Sequence, residues 1–254
     1  HRSRSGHQSD HRVIDMRLYP LEPTSRLALN ITRISRKLHI DVLTTGLSED
    51  QKRSLRSMIL VTDGTPDDIV AAILAKHLDG ETIVAIAKTR RTRVEALSLI
   101  PTYLTQIRGA RIENLVALMD QEDEELSDIY KNASATLKGH GITIESQERM
   151  DERLGEYRCS HGGRKFTLIL IVNGLNAIKS SKHTIEDHLL YAAARLLRLE
   201  ELRKMIEEGV DDPKDLWRTQ KDRWESVYQG ICDASIDDVR EVFPQHIAGL
   251  KLIK

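Results

Sequence analysis

The stretch Met58-Ile59-Leu60-Val61-Thr62-Asp63-Gly64-Thr65-Pro66-Asp67-Asp68 opens apolar and closes on an acid, a glycine and a helix-start signal. The apolar run has strand length, so it reads as a buried strand from Met58 to Thr62. Thr65 as N-cap and Pro66 in the first turn predict a helix over Pro66–Leu78. Gly64 supplies freedom for a sharp turn between the two. A second strand with an acidic end follows at Leu115-Val116-Ala117-Leu118-Met119-Asp120, continuing into Gln121-Glu122-Asp123.

Working outward, strands are predicted at Thr82–Ala87, Leu115–Met119, Ile142–Ile144 and Lys165–Val172. Helices are predicted at Thr92–Ile107 (bent near Pro101), Glu124–Lys138 (closed by Gly139) and Glu186–Glu208. Alternating strands and helices predict an α/β fold with a mainly parallel sheet flanked by helices. Ligands in such sheets sit at the carboxyl ends of the strands, where Asp63 and Asp120 fall. The division expected is a basic N-terminal segment over 1–57, partly disordered, an α/β domain over 58–210, and a helical C-terminal extension over 211–254. Within the first segment, Leu27, Leu29, Ile31, Ile34 and Leu38 have an imperfect helical spacing. In the last, Trp217 and Trp224 lie two turns apart and read as packing residues.

Bulk properties narrow the function. A net charge of −1 gives no global signal for nucleic acid, so any such surface must be local. Aromatics make up only 4% of residues, so a base-stacking platform is not evident. Cys159 and Cys232 are too few for a disulfide framework and read as free thiols. No apolar stretch is long enough to span a bilayer. The expectation is a cytoplasmic protein with no membrane partner, with room for a homo-oligomer.

The acids carry the chemistry. Asp63 follows an apolar run and should be half desolvated, which is costly for a carboxylate that binds nothing. Asp67 and Asp68 fall in a first helical turn, where acids are favoured electrostatically. Asp120 and Glu122 share a face if the strand persists past Met119, and would mount a divalent cation. In Lys182-His183-Thr184-Ile185-Glu186-Asp187-His188, Thr184 is a candidate cap, and Glu186 a candidate neighbour of that site. His183 and His188 bracket it and read as structural or exposed. Lys88, Arg90, Arg91 and Arg93 follow a strand on the same edge and could hold a phosphate backbone.

At these residues the chain resembles the Toprim family, and most closely its small stand-alone members of unassigned function. The family's acid-glycine after the first strand is matched by Asp63-Gly64. Its Asp-x-Asp is matched by Asp120-Gln121-Glu122, and its Leu-Glu-Asp by Ile185-Glu186-Asp187. The resemblance covers roughly residues 58 to 200. It implies a Toprim-like sheet and Mg²⁺- or Mn²⁺-dependent phosphodiester chemistry on DNA or RNA, as in topoisomerases, primases and overcoming-lysogenization-defect nucleases. By motif, Asp63 would be the general acid/base. Asp120 and Glu122, with Asp67 and Glu186 beside them, would hold the metal. Asp63 stands where the family has glutamate, one methylene longer, and Glu122 where it has aspartate. Both changes put catalysis in question more than metal binding, since a displacement of about 1 Å can cost ~100-fold in rate.

Other readings stay open. A silenced relative that only binds nucleic acid or protein would keep the same residues. Thr62-Asp63-Gly64-Thr65-Pro66-Asp67-Asp68 also resembles the Ca²⁺-binding signature of nucleoside hydrolases, with Val61 in place of its first acid. A haloacid-dehalogenase phosphatase motif would need its nucleophilic acid at Val61, which cannot be phosphorylated.

Overall fold

The computed structural model describes residues 16–78 and 82–253. The strands are β1 Arg17–Pro20, β2 Ser57–Val61, β3 Ile83–Lys88, β4 Asn114–Asp120, β5 Thr143–Asp151, β6 Leu154–His161 and β7 Arg164–Asn173. They form one sheet in the order β1-β3-β2-β4-β7-β6-β5. The pairings from β1 through β7 are parallel, and the hairpins β6–β7 and β5–β6 are antiparallel. The expected mainly parallel α/β sheet is therefore present.

The central strands are buried on both faces, which is why they read as unbroken apolar runs. Ile59, Val61, Val116, Leu118, Ile169 and Ile171 point into one core layer. Met58, Leu60, Leu115, Ala117, Leu168 and Leu170 point into the other. The first layer is covered by α1 Arg26–Leu38, α3 Thr65–His77, α6 Ile185–Leu196 and α7 Glu200–Glu208. The later helices α8 Pro213–Thr219, α9 Trp224–Asp233, α10 Ile236–Val242 and α11 Pro244–Leu250 lie there too. The second layer is covered by α4 Ile100–Gln106, α5 Leu126–Gly139 and a 3-10 helix at Arg93–Leu99. A short α2, Glu49–Ser54, precedes β2.

Several expectations are corrected. Residues 16–57 do not stand apart from the domain: Arg17–Pro20 pairs with β3 as an edge strand, and Leu27, Ile31 and Ile34 of α1 join the first core layer. The expected disorder at the extreme N-terminus falls on residues outside those described. Residues 211–253 are helical as expected, but they are built into the domain. The Gln245 amide donates to the carbonyls of Val172 and Gly174. The single helix expected over Glu186–Glu208 is two, parted where Arg198 takes a left-handed φ of 53°. The bent helix over Thr92–Ile107 begins as a 3-10 helix, with α4 starting one residue before Pro101. The short strand at Ile142–Ile144 is the start of the nine-residue β5, whose side chains are mostly exposed. β6 has no counterpart among the expected elements.

Candidate active site: a buried acidic cluster at the strand ends

The carboxyl ends of β2, β4 and β7 lie side by side and deliver Asp63, Asp120 and Asn173 to one place. The Asp120 backbone N–H donates to Asp63 Oδ2 at 2.8 Å, and the Thr62 hydroxyl donates to the same oxygen at 3.0 Å. Asp63 and Asp120 therefore meet as expected, with Asp63 half-buried and Asp120 buried.

Gly64 is the N-cap of α3 and takes φ −65°, so no left-handed turn is needed there. The helix starts at Thr65, one residue earlier than expected, and its first turn sends two buried acids in different directions. Asp68 accepts from Asn30 Nδ2 at 3.0 Å and lies 3.8 Å from Lys88 Nζ. Asp67 turns toward the strand ends and accepts from Asn173 Nδ2 at 2.7 Å.

Asn173 is the hub. Its amide also donates to Asp120 Oδ1 at 3.0 Å, and its Oδ1 accepts from His246 Nε2 at 2.8 Å. With both amide hydrogens spent on carboxylates, Oδ1 can only accept, so His246 carries its proton on Nε2. Asp120 Oδ1 takes a further hydrogen bond from the Ile185 N–H at 2.9 Å, the first residue of α6.

Glu122 does not share a strand face with Asp120. The strand stops at Asp120 and Glu122 adopts φ 56°, so the alternation of side chains ends there. Its backbone instead exchanges hydrogen bonds with His183 at 2.8 and 2.9 Å. What reunites the two carboxylates is Lys214 of α8. Its ammonium hydrogen-bonds Glu122 Oε1 and lies 3.4 Å from Asp120 Oδ2.

Burial raises the pKa of Asp120 to about 8, with the charges of Asp63 and Glu186 adding to the rise. Asp67 is held well above the ordinary carboxylate range by burial and then by Asp120, Asp63 and Glu186. Burial also raises Asp63 and Glu186. For Lys214, burial works against the charged form. The Glu122 hydrogen bond and the charge of Asp120 more than reverse this, so its pKa rises. Five acids, Asp63, Asp67, Asp120, Glu122 and Glu186, thus share one ammonium. Two of their buried oxygens, Asp67 Oδ2 and Glu186 Oε2, have no hydrogen-bond partner among the described residues.

The basic residues are mostly committed. Arg93, at φ 54°, donates to the carbonyls of Asp120 and Gln121 and pairs with Glu124. It supports the turn after β4 instead of facing outward. Arg91 donates to Ser98 Oγ at 2.9 Å, and Lys88 lies beside Asp68. Arg90 is exposed.

The histidines are structural. His183 Nδ1 lies 2.6 Å from Asp187 Oδ2. Buried His188 donates from Nδ1 to the Val242 carbonyl and accepts the Gly174 N–H, and burial lowers its pKa to about 4. Cys159 and Cys232 are free and buried.

Asn173, Lys214 and His246 were absent from the sequence reading. Asn173 had a signal of the same kind as Asp63 and Asp120, a polar residue closing an apolar run. Lys214 and His246 had none, because only the tertiary fold brings α8 and α11 to the strand ends.

Among the described residues, no group of three or more His, Cys, Asp or Glu side chains stands together so as to hold a metal ion, and none of the helices is long and apolar enough to cross a membrane. No family model, curated protein or solved structure matches the chain.

Proposed function

We propose that the protein is a divalent-cation-dependent phosphodiesterase of the Toprim type acting on nucleic acid, with Asp63, Asp67, Asp120 and Glu186 as its acidic centre. The observation that carries this reading is the surplus of buried carboxyl groups. Asp67 Oδ2 and Glu186 Oε2 are unpartnered, and the acids raise one another's pKa. Burying carboxylates without partners is expensive, and hard carboxylate oxygens suit Mg²⁺ or Mn²⁺. An ion taken by one or two of these carboxylates, its remaining positions filled by water and phosphoryl oxygens, would neutralise charge on the phosphoryl group and acidify a bound water.

The chain's own residues supply the rest. Asp63 is anchored through Oδ2, which leaves Oδ1 to take a proton from an attacking water. Its raised pKa brings it toward the range where a carboxylate works as a base near neutral pH. The water oxygen forms the new bond to phosphorus, the ester P–O bond breaks, and the leaving oxygen takes a proton from solvent. Lys214 stands close enough to offset charge on the phosphoryl group. Exposed Arg90 is the member of the basic segment available to the backbone.

One observation favours a second reading, a catalytically silent nucleic-acid-binding module. The ammonium of Lys214 already joins Asp120 to Glu122, where a cation would be expected to bridge them.

The test is cleavage of labelled RNA, single-stranded DNA and duplex DNA with Mg²⁺ or Mn²⁺, alongside Asp120→Asn, with free nucleosides in the panel. Metal-dependent cleavage lost in Asp120→Asn is the expected result. Cleavage of nucleosides alone would move the protein to the hydrolase class. Silence of the native chain, with Mn²⁺ binding gained only in Lys214→Met, would establish the binding module.

A further inference from the structure

A cavity of about 580 Å³ opens between α1, the start of α3, α8 and α9. That is within the roughly 300–1,000 Å³ typical of small-ligand sites. Its floor holds Glu186 and Lys214, so it is continuous with the acidic cluster. Its wall holds Trp217 and Trp224, stacked at 5.6 Å between centroids. Trp217 is buried and Trp224 is half-buried. Its rim holds Arg33 and Lys221, both exposed and neither in an ion pair or hydrogen bond among the described residues. The other rim cations are engaged, Lys37 with Glu225 and Arg218 with Asp215.

We infer that this cavity binds a phosphate-bearing nucleotide unit beside the acidic cluster. The indole surface of Trp224 accepts a base by stacking, which tolerates any base because every base has a π face. Arg33 and Lys221 take the phosphate as free cations at the mouth. Glu186 lies in the floor, 7% exposed, with Oε2 unpartnered. That oxygen accepts a hydrogen bond from a sugar hydroxyl or a base amine. The unit is either a free nucleotide or the phosphorylated end of a strand. That a bound strand end is a substrate rests on the proposed phosphodiesterase; that a nucleotide binds does not.

The chain has two tryptophans, and both line the cavity, so intrinsic fluorescence reports on it directly. The full chain in EDTA, where no cleavage occurs, is titrated with adenosine, AMP, and 5′-phosphorylated and 5′-hydroxyl octanucleotides. Calorimetry is run in parallel to remove absorbance artefacts. AMP or the phosphorylated strand is expected to perturb the tryptophans and to bind at least tenfold more tightly than its unphosphorylated counterpart. Arg33→Glu and Lys221→Glu lie on the surface and leave the core intact, and each is expected to weaken binding about tenfold or more. Trp224→Leu is expected to weaken it as well, with circular dichroism as the check on folding. Preference for the phosphorylated octanucleotide over AMP identifies a strand end, and equal binding identifies a free nucleotide; both uphold the site. No binding by any phosphorylated probe, or binding unchanged in Arg33→Glu and Lys221→Glu, overturns it. Because the readout needs neither metal nor turnover, failure here leaves the nuclease test standing, and failure there leaves this one.

Discussion

At the scale of single residues, the acids at the strand ends cost the fold stability. Asp67 shows this most clearly, buried with one oxygen unpartnered and three carboxylates nearby. Asp67→Asn keeps an acceptor for Asn173 and removes the charge. It is expected to raise thermal stability in metal-free buffer by about 1 kcal/mol or more, a Tm gain of roughly 2–4 °C for a chain of this size. The same variant is expected to lose metal-dependent cleavage. A lower Tm would mean that the charge is compensated in the fold. Much of this cluster was legible in the sequence, since Asp63 and Asp120 each interrupt an apolar run. Lys214 was not, because its neighbours Asp211, Asp212 and Asp215 give it the look of a solvated charge. The stacking surface was also hidden. The low aromatic content is true of the whole chain, while Trp217 and Trp224 are gathered at one cavity.

At the scale of elements, the sequence was most readable where burial is two-sided. β2, β4 and β7 are apolar on both faces and stand within a residue or two of their expected bounds. β5 is legible only at its start, because the sequence from Glu145 to Asp151 is polar except for Met150, and it holds its place by pairing with β6. A charged edge strand of this kind also resists pairing with other chains. The turn after β7 is as exacting as the strand before it. Gly174 has φ +144°, and a Cβ there would stand 2.7 Å from the His183 Cβ and 2.9 Å from Arg153 Nε. Gly174→Ala is therefore expected to destabilise by about 1–3 kcal/mol, from backbone strain and overlap together. Equilibrium urea unfolding measures this, and an unchanged midpoint would show that the turn relaxes freely.

At the scale of the whole molecule, pH and cations should act through the same buried charge. Asp120 has its folded pKa raised to about 8, so between its unfolded value and pH 8 the native state binds more protons than the unfolded chain. Its contribution to stability therefore falls as pH rises through that window. Buried His188, lowered to about 4, contributes the opposite slope, but only below about pH 6.5, where the unfolded imidazole takes a proton. Between pH 6.5 and 8 the acids act alone. Unfolding free energy in EDTA is expected to decline there by up to ~1.4 kcal/mol per pH unit for each proton involved. Saturating Mn²⁺ should flatten the decline. A rising profile in EDTA would contradict the buried-acid account.

The centre is also assembled from distant parts of the chain. Asp63 and Asp67 come early, Asp120 and Asn173 from the middle, and Lys214 and His246 near the end. During synthesis, the acids leave the ribosome long before the lysine that offsets them and the histidine that fixes their hub. A nascent chain stalled before α8 would therefore carry the clustered carboxylates without their counter-charge, so this corner of the domain can settle only once the last helices have been released.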